Sequence, residues 1–245
     1  MRKKIHLFSP LAFIAILFLA GCGNSDTQKA KVDTSGDKNR LNNFVDWATY
    51  RGDQEGTGYS SLDQITTENV QLLEEAWTYD FDNIVRPGTS SNPIIINGVM
   101  YFSDAELNLI ALNAATGEEL WRFDPSENHP RGDALSNGIM RGEVYWEDQD
   151  GNNARIFHTT KDLIWAVNPN DGSLIESFGE GGFIDLKKNH VWPAHLLRDK
   201  ITQSSPPVAL RSHLIVDSNP GEGRESPPGN IRSFNALTGE YEWTF

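Results

Sequence analysis

Short apolar runs alternate with polar residues along most of the chain, and glycine, asparagine and proline interrupt them every few positions. Pro93-Ile94-Ile95-Ile96 leads into Asn97-Gly98 and then Val99-Met100-Tyr101-Phe102. Two such runs separated by Asn-Gly predict a β-hairpin, because that dipeptide accepts the positive φ of a tight turn. Leu109-Ile110-Ala111-Leu112 predicts a further strand, which enters a turn at Gly117 and returns toward Trp121. Arg155-Ile156-Phe157-His158, Pro207-Val208-Ala209-Leu210 and Leu214-Ile215-Val216 repeat the strand theme.

These strands belong to a longer repeat. Asn113-Ala114-Ala115-Thr116-Gly117 runs on to Trp121, and Asn235-Ala236-Leu237-Thr238-Gly239 runs on to Trp243, so both copies read Asn-x-x-Thr-Gly-x-x-x-Trp. A looser copy, Asn168-Pro169-Asn170-Asp171-Gly172, ends on Phe178. Four antiparallel strands per unit, closed by a large aromatic, make a propeller blade, and the repeat predicts an all-β propeller. A generic β-sandwich is the alternative, but it has no reason to repeat this pattern. About three blades are counted, below the usual minimum of four, so the chain is expected to be a fragment of a longer protein.

The first residues depart from this pattern. Arg2, Lys3 and Lys4 precede an apolar stretch, Leu11 to Leu19, that is too short for a stop-transfer helix. Leu19-Ala20-Gly21-Cys22 then resembles the bacterial lipobox, which implies cleavage before Cys22 and acylation of that cysteine. The alternative is an ordinary signal peptide with an incidental cysteine, or an uncleaved anchor. Residues 1–21 are therefore expected to be a lipoprotein signal peptide. Residues 22–42, with almost no large apolar side chains, are expected to be a flexible tether, and 43–245 the propeller. Export would leave the protein lipid-anchored on the periplasmic side of a bacterial membrane.

Charge and cysteine usage narrow the partners. The net charge is -13, and loss of the three basic residues of the leader makes the mature chain more acidic still. That argues against nucleic acid. Cys22 is the only cysteine, which excludes a disulfide, a Cys-based zinc site and a thiol nucleophile within these residues.

Several segments resemble the quinoprotein dehydrogenases, whose eight-bladed propeller binds pyrroloquinoline quinone (PQQ) and usually calcium. The Thr-Gly-x-x-x-Trp repeat is similar to their tryptophan docking motif. Trp47 to Ser60, continuing through Leu62-Asp63-Gln64-Ile65-Thr66 and Asn69-Val70 to Ala76-Trp77, resembles their opening segment, and Arg141-Gly142-Glu143-Val144-Tyr145-Trp146 their Arg-Gly-x-x-Tyr-Trp segment. Ser204-Ser205-Pro206-Pro207 and Pro227-Pro228-Gly229-Asn230-Ile231-Arg232 resemble a later blade of the glucose-dehydrogenase-like branch.

The resemblance implies site residues one by one. Arg141 matches the arginine that forks to a cofactor carboxylate or quinone oxygen; a surface arginine beside Glu143 is the alternative. Ser204 matches a threonine whose hydroxyl contacts the cofactor. It could equally be a serine that opens a strand. Asn137 stands where the membrane glucose dehydrogenases carry a histidine, and Ser90 where they carry a glutamate; both could still hydrogen-bond the cofactor, and Asn137 is taken as a cofactor-binding candidate, but neither replaces a charge. Glu222, in Ser218-Asn219-Pro220-Gly221-Glu222-Gly223, matches the acidic calcium ligand, with a solvated loop glutamate equally open and Asp217 and Asn219 as weaker rivals. Leu135-Ser136 replace the vicinal disulfide of the alcohol-oxidising branch. The family's catalytic aspartate falls in a later blade, so no catalytic residue is assigned here.

Other features read as structure. His190 and His195 are expected to be loop histidines, and Asp148-Gln149-Asp150-Gly151-Asn152 a hairpin turn rather than a calcium loop. Most tryptophans are expected in the core, with Trp146 and Trp192 able to face the axis. The function implied is oxidation of sugar or polyol hydroxyls by hydride transfer to PQQ, with electrons passing to a membrane quinone or a cytochrome. A non-enzymatic propeller scaffold, similar to the outer-membrane barrel-assembly lipoprotein, is the rival.

Overall fold

Asn97 and Gly98 both adopt positive φ, 50° and 78°, and close the first hairpin as their sequence demands. The computed structural model describes residues 46–53, 55–81, 90–131, 139–188, 201–219, 226 and 228–245. Within the unit Asn43–Phe245 these form three four-stranded antiparallel sheets, each wound in sequence order. The signal peptide, the tether and Cys22 lie outside the described residues.

The first blade comprises β1 (Ile94–Ile96), β2 (Val99–Ser103), β3 (Leu109–Asn113) and β4 (Glu119–Phe123). The second comprises β5 (Val144–Trp146), β6 (Arg155–Thr160), β7 (Leu163–Val167) and β8 (Phe183–Asp185). The third comprises β9 (Val208–Leu210), β10 (His213–Val216), β11 (Arg232–Asn235) and β12 (Tyr241–Thr244). The only other regular element among the described residues is a 3₁₀ turn over Val70–Leu72. The architecture is all-β and propeller-like, with three blades.

The repeated Asn explains itself in the turns. Asn113 Oδ1 accepts the amides of Ala115 and Thr116, and Asn235 Oδ1 accepts those of Leu237 and Thr238. The amides of Gly117 and Gly239 return to the carbonyls of the same asparagines at 2.8 Å. A register shift falls at Ala111/Leu112 in the first blade and at Ser233/Phe234 in the third, the same place in each repeat. That bulge sets Trp121 opposite Ala111 and Trp243 opposite Ser233.

Trp77, Trp121 and Phe178 each dock on the turn of the blade that follows. The Trp121 indole donates to the Pro169 carbonyl at 3.0 Å, and a Cβ placed on Gly172 would come within 2.7 Å of its ring. Trp77 does the same one blade earlier, donating to Ala114 at 3.2 Å and packing on Gly117. Phe178 has no ring donor; the adjacent Gly179 amide instead donates to Thr238 at 2.8 Å, and the ring packs by Gly239. The looser repeat thus keeps the dock and moves its hydrogen bond to the backbone.

Between blades the sheets interleave apolar faces. Ile94, Tyr101, Leu109 and Phe123 of the first blade meet Ile156, Leu163, Trp165 and Phe183 of the second. Val144, Trp146, Phe157 and Ile164 of the second meet Leu214, Val216 and Phe234 of the third. Full burial of such side chains contributes about 1.5–3 kcal/mol each. Trp146 therefore lies mainly in the core, with its indole donating to the Arg211 carbonyl, and Trp165 is fully buried with its indole on the Thr160 hydroxyl. The Asp148 carboxylate accepts the amides of Asp150 and Asn152, which makes that segment the expected hairpin turn. The third blade leaves Val208, Leu210, Tyr241 and Trp243 exposed.

Candidate functional site

The innermost strands β1, β5 and β9 lie side by side, and the residues just ahead of them are stitched laterally. The Asn92 amide donates to the Arg141 carbonyl at 3.0 Å, and the Arg141 amide donates to the Ser204 carbonyl at 3.0 Å. The Asn92 side chain adds a second bond to the Arg141 carbonyl, also at 3.0 Å. Three blades thus share one belt of backbone hydrogen bonds, and Arg141 is its middle member. Gly142 permits the approach, since a Cβ there would stand 3.1 Å from the Asn92 carbonyl oxygen.

Arg141 and Ser204, both expected at the cofactor, come together: Arg141 Nη1 donates to Ser204 Oγ at 2.9 Å. The arginine is exposed and Ser204 half-buried. Among the described residues Arg141 has no carboxylate partner. Glu143, its near neighbour in sequence, is fully buried, with Oε2 3.0 Å from His158 Nδ1. His158 Nε2 lies 2.8 Å from the Leu107 carbonyl of the first blade.

An open cavity of about 1020 Å³ is lined by residues of β1, β5 and β9, with Arg141, Glu147 and Arg211 among them. The Tyr145 hydroxyl donates to Glu147 at 2.7 Å, and burial, that hydrogen bond and the nearby negative charge push the phenol up beyond its ordinary range. The opening segment forms one wall: Trp47 exchanges two backbone hydrogen bonds with Ile95, and the Asp46 carboxylate accepts the Asn97 amide.

Ser90 is exposed ahead of β1. Asn137, Glu222, Leu135-Ser136, His190, His195 and Trp192 lie outside the described residues. Asp217, a weaker candidate for the metal, accepts a hydrogen bond from the Gln203 side chain, and the Asn219 amide donates to the Thr202 carbonyl. Among the described residues no group of three His, Cys, Asp or Glu side chains is arranged to hold a metal ion. No described helix is long and apolar enough to cross a membrane.

The features missed by sequence reasoning are the belt and the buried Glu143–His158 pair. Val144 pairs with Phe157, so one further step of the same register sets Glu143 opposite His158. A strand alignment of β5 on β6 would have exposed that pair.

Comparison with known proteins completes the picture. Residues 47–245 match the family model of the PQQ β-propeller domain of glucose, ethanol and alcohol dehydrogenases. The chain is 28% identical over 212 residues to the glycerol dehydrogenase large subunit of Gluconobacter oxydans strain 621H, covering 82% of this chain and 28% of that protein. It is 37% identical over 79 residues to the quinoprotein glucose dehydrogenase of Escherichia coli strain K12, covering 30% of this chain and 10% of that protein. Its fold superposes on the crystal structure of the quinohemoprotein alcohol dehydrogenase from Comamonas testosteroni with a TM-score of 0.64 at 23% identity, over 87% of this chain and 29% of that one. The chain spans less than a third of the length of these relatives.

Proposed function

Because the chain belongs to the PQQ β-propeller domain family of glucose, ethanol and alcohol dehydrogenases, we propose that it supplies part of the cofactor site of a quinoprotein dehydrogenase. The substrates proposed are sugar or polyol hydroxyls, in line with the glycerol and glucose dehydrogenases among its relatives. Electrons would pass on to a membrane quinone or a cytochrome.

The observation that carries the reading is the Arg141–Ser204 contact, whose arginine lines the cavity along β1, β5 and β9. The donor chemistry fits PQQ. Arg141 spends one N–H on Ser204 and keeps the rest of its guanidinium for an anionic oxygen, while no described carboxylate competes for it. When bound, PQQ supplies an ortho-quinone that accepts hydride from the alcohol carbon. Arg141 would hold a cofactor carboxylate or quinone oxygen, the Ser204 hydroxyl would orient one edge, and Asn137 would add an amide contact. Glu222 is proposed as a calcium ligand.

Cys22 is proposed to carry the lipid that holds the protein on the periplasmic side of a membrane. A tether there would keep a dehydrogenase near membrane electron acceptors. Labelled palmitate should enter the wild type and not Cys22→Ser; equal labelling of both would contradict the anchor.

The enzymatic reading is tested with the full-length protein, PQQ and calcium in a dye-linked oxidation assay on glycerol, glucose and ethanol. Turnover of the polyol or aldose is expected. Absence of PQQ-dependent turnover on all three would overturn the reading. The scaffold alternative has no need of the family match across 47–245.

A further inference from the structure

Glu143 and His158 have no side-chain atom open to solvent, and they bridge two blades immediately behind the belt. They are cross-strand neighbours on the face that β5 and β6 turn toward the first blade. The imidazole faces two oxygens, Glu143 Oε2 at 3.0 Å and the Leu107 carbonyl at 2.8 Å. A carbonyl can only accept, so Nε2 carries a hydrogen. A bare Nδ1 facing an ionised carboxylate would set lone pair against lone pair. One more proton must therefore lie between the two side chains, on the imidazole or on the carboxyl, and the pair is neutral in either form.

Stability alone gives no reason for this arrangement. Glu143 Oε1 is buried without a hydrogen-bond partner, and an apolar pair of similar volume would avoid that cost. The position supplies a reason. Strand pairing of β5 begins only at Val144, so Arg141-Gly142 hangs on the belt bonds to Asn92 and Ser204. Glu143 is the next residue, and through His158 it is tied to Leu107. The Leu107 loop is itself braced, because Asp104 Oδ1 accepts the amides of Glu106 and Asn108 at 2.9 Å.

Resting on the assignment of Arg141 to the cofactor, we propose that Glu143 and His158 are positioning residues: sharing one proton, they fix the Arg141-Gly142 segment to the first blade. The other charged groups toward His158 are Asp104, across the same interface, and Arg122, which holds Asp104 at 3.4 Å. Burial alone would lower the imidazole pKa; the charge and hydrogen bond of Glu143, the Leu107 carbonyl and the charge of Asp104 outweigh it and raise it.

The test uses the full-length protein and three readouts. Hydrogen exchange of the Asn92 and Arg141 amides reports the belt directly. Glu143→Gln should stay within about twofold of the wild type, because its amide can donate to Nδ1 of a neutral imidazole. The double variant Glu143→Leu/His158→Leu should retain its denaturation midpoint yet exchange these amides about tenfold faster. Its affinity for PQQ should fall by about the same factor. Wild-type exchange and affinity in the double variant would overturn the positioning role. Nitrogen-15 spectra of the histidines and the carboxyl infrared band form the third readout. Around neutral pH they should show an imidazolium or a protonated Glu143; a bare Nδ1 beside an ionised carboxylate would overturn the shared proton. Failure of the wild type to bind PQQ would remove the cofactor assignment, and with it the cofactor role of the pair. The exchange arm would still decide whether the pair holds the belt.

Discussion

The two interfaces between blades solve one problem in two ways. Between the first and second blades, buried polarity is handled by an acid–base pair, Glu143 with His158. Away from that pair, on the second blade itself, Arg131 and Lys187 pair with Asp162, and Arg131 also with Asp185. Between the second and third, it is handled by buried arginines on carbonyls and rings. Arg155 lies 5.1 Å from the Trp146 ring centroid and donates to the Ala236 and Leu237 carbonyls at 3.2 and 2.8 Å. Arg232 donates to the Leu186 carbonyl at 2.8 Å and lies 5.8 Å from the Phe234 ring centroid. The first interface depends on a proton that can be lost. At the second, burial lowers Arg232 to about 10, so its charge persists through the neutral range. One docking motif is therefore compatible with a titratable seam and an inert one.

Breaking the first seam on one side should have the largest effect. His158→Leu leaves a buried, unpaired carboxylate and should cost about 3–5 kcal/mol of unfolding free energy in urea titration. Arg155→Leu, at the second seam, removes the donors to one buried and one part-buried carbonyl and should cost about 2–3 kcal/mol. If the two variants lose equal stability, the contrast between the seams is not energetic.

Gly172→Ala sharpens the comparison at the dock itself. It places a methyl 2.7 Å from the Trp121 ring at a φ of 75° and should cost about 2–3 kcal/mol. Gly98→Ala has a similar φ of 78° but nothing within 4 Å, and should cost only about 1 kcal/mol. The difference isolates docking from backbone strain.

The smallest effect is one of pH. His158 is raised above its ordinary 6.5, so its contribution is complete below the unfolded value and is lost as pH rises through the raised one. The urea midpoint of the wild type should fall over that rise, and the part due to His158 should vanish in Glu143→Leu/His158→Leu.

Much of the fold was legible because it is local. Asn97-Gly98 specifies its turn, and Asn-x-x-Thr-Gly satisfies its own amides, so both announce themselves in sequence. The substitution of Phe178 for tryptophan was visible, but not its compensation, since the Gly179 amide finds Thr238 only once blades pack. The belt was invisible for the same reason: it joins Asn92, Arg141 and Ser204 through main-chain atoms, which carry no residue signature. Glu143 read as a neighbour of Arg141 because closeness in sequence hid that Arg141 reaches Ser204 while Glu143 reaches His158.

The central claim is that Arg141, held in the belt beside Ser204, receives PQQ. Its most direct test is a calorimetric titration of PQQ, with calcium, into the full-length wild type and Arg141→Ala. Saturable binding by the wild type is expected, weakened about tenfold or more in the variant, the loss of a charge-assisted contact. Equal affinities, or no binding by the wild type, would contradict the account.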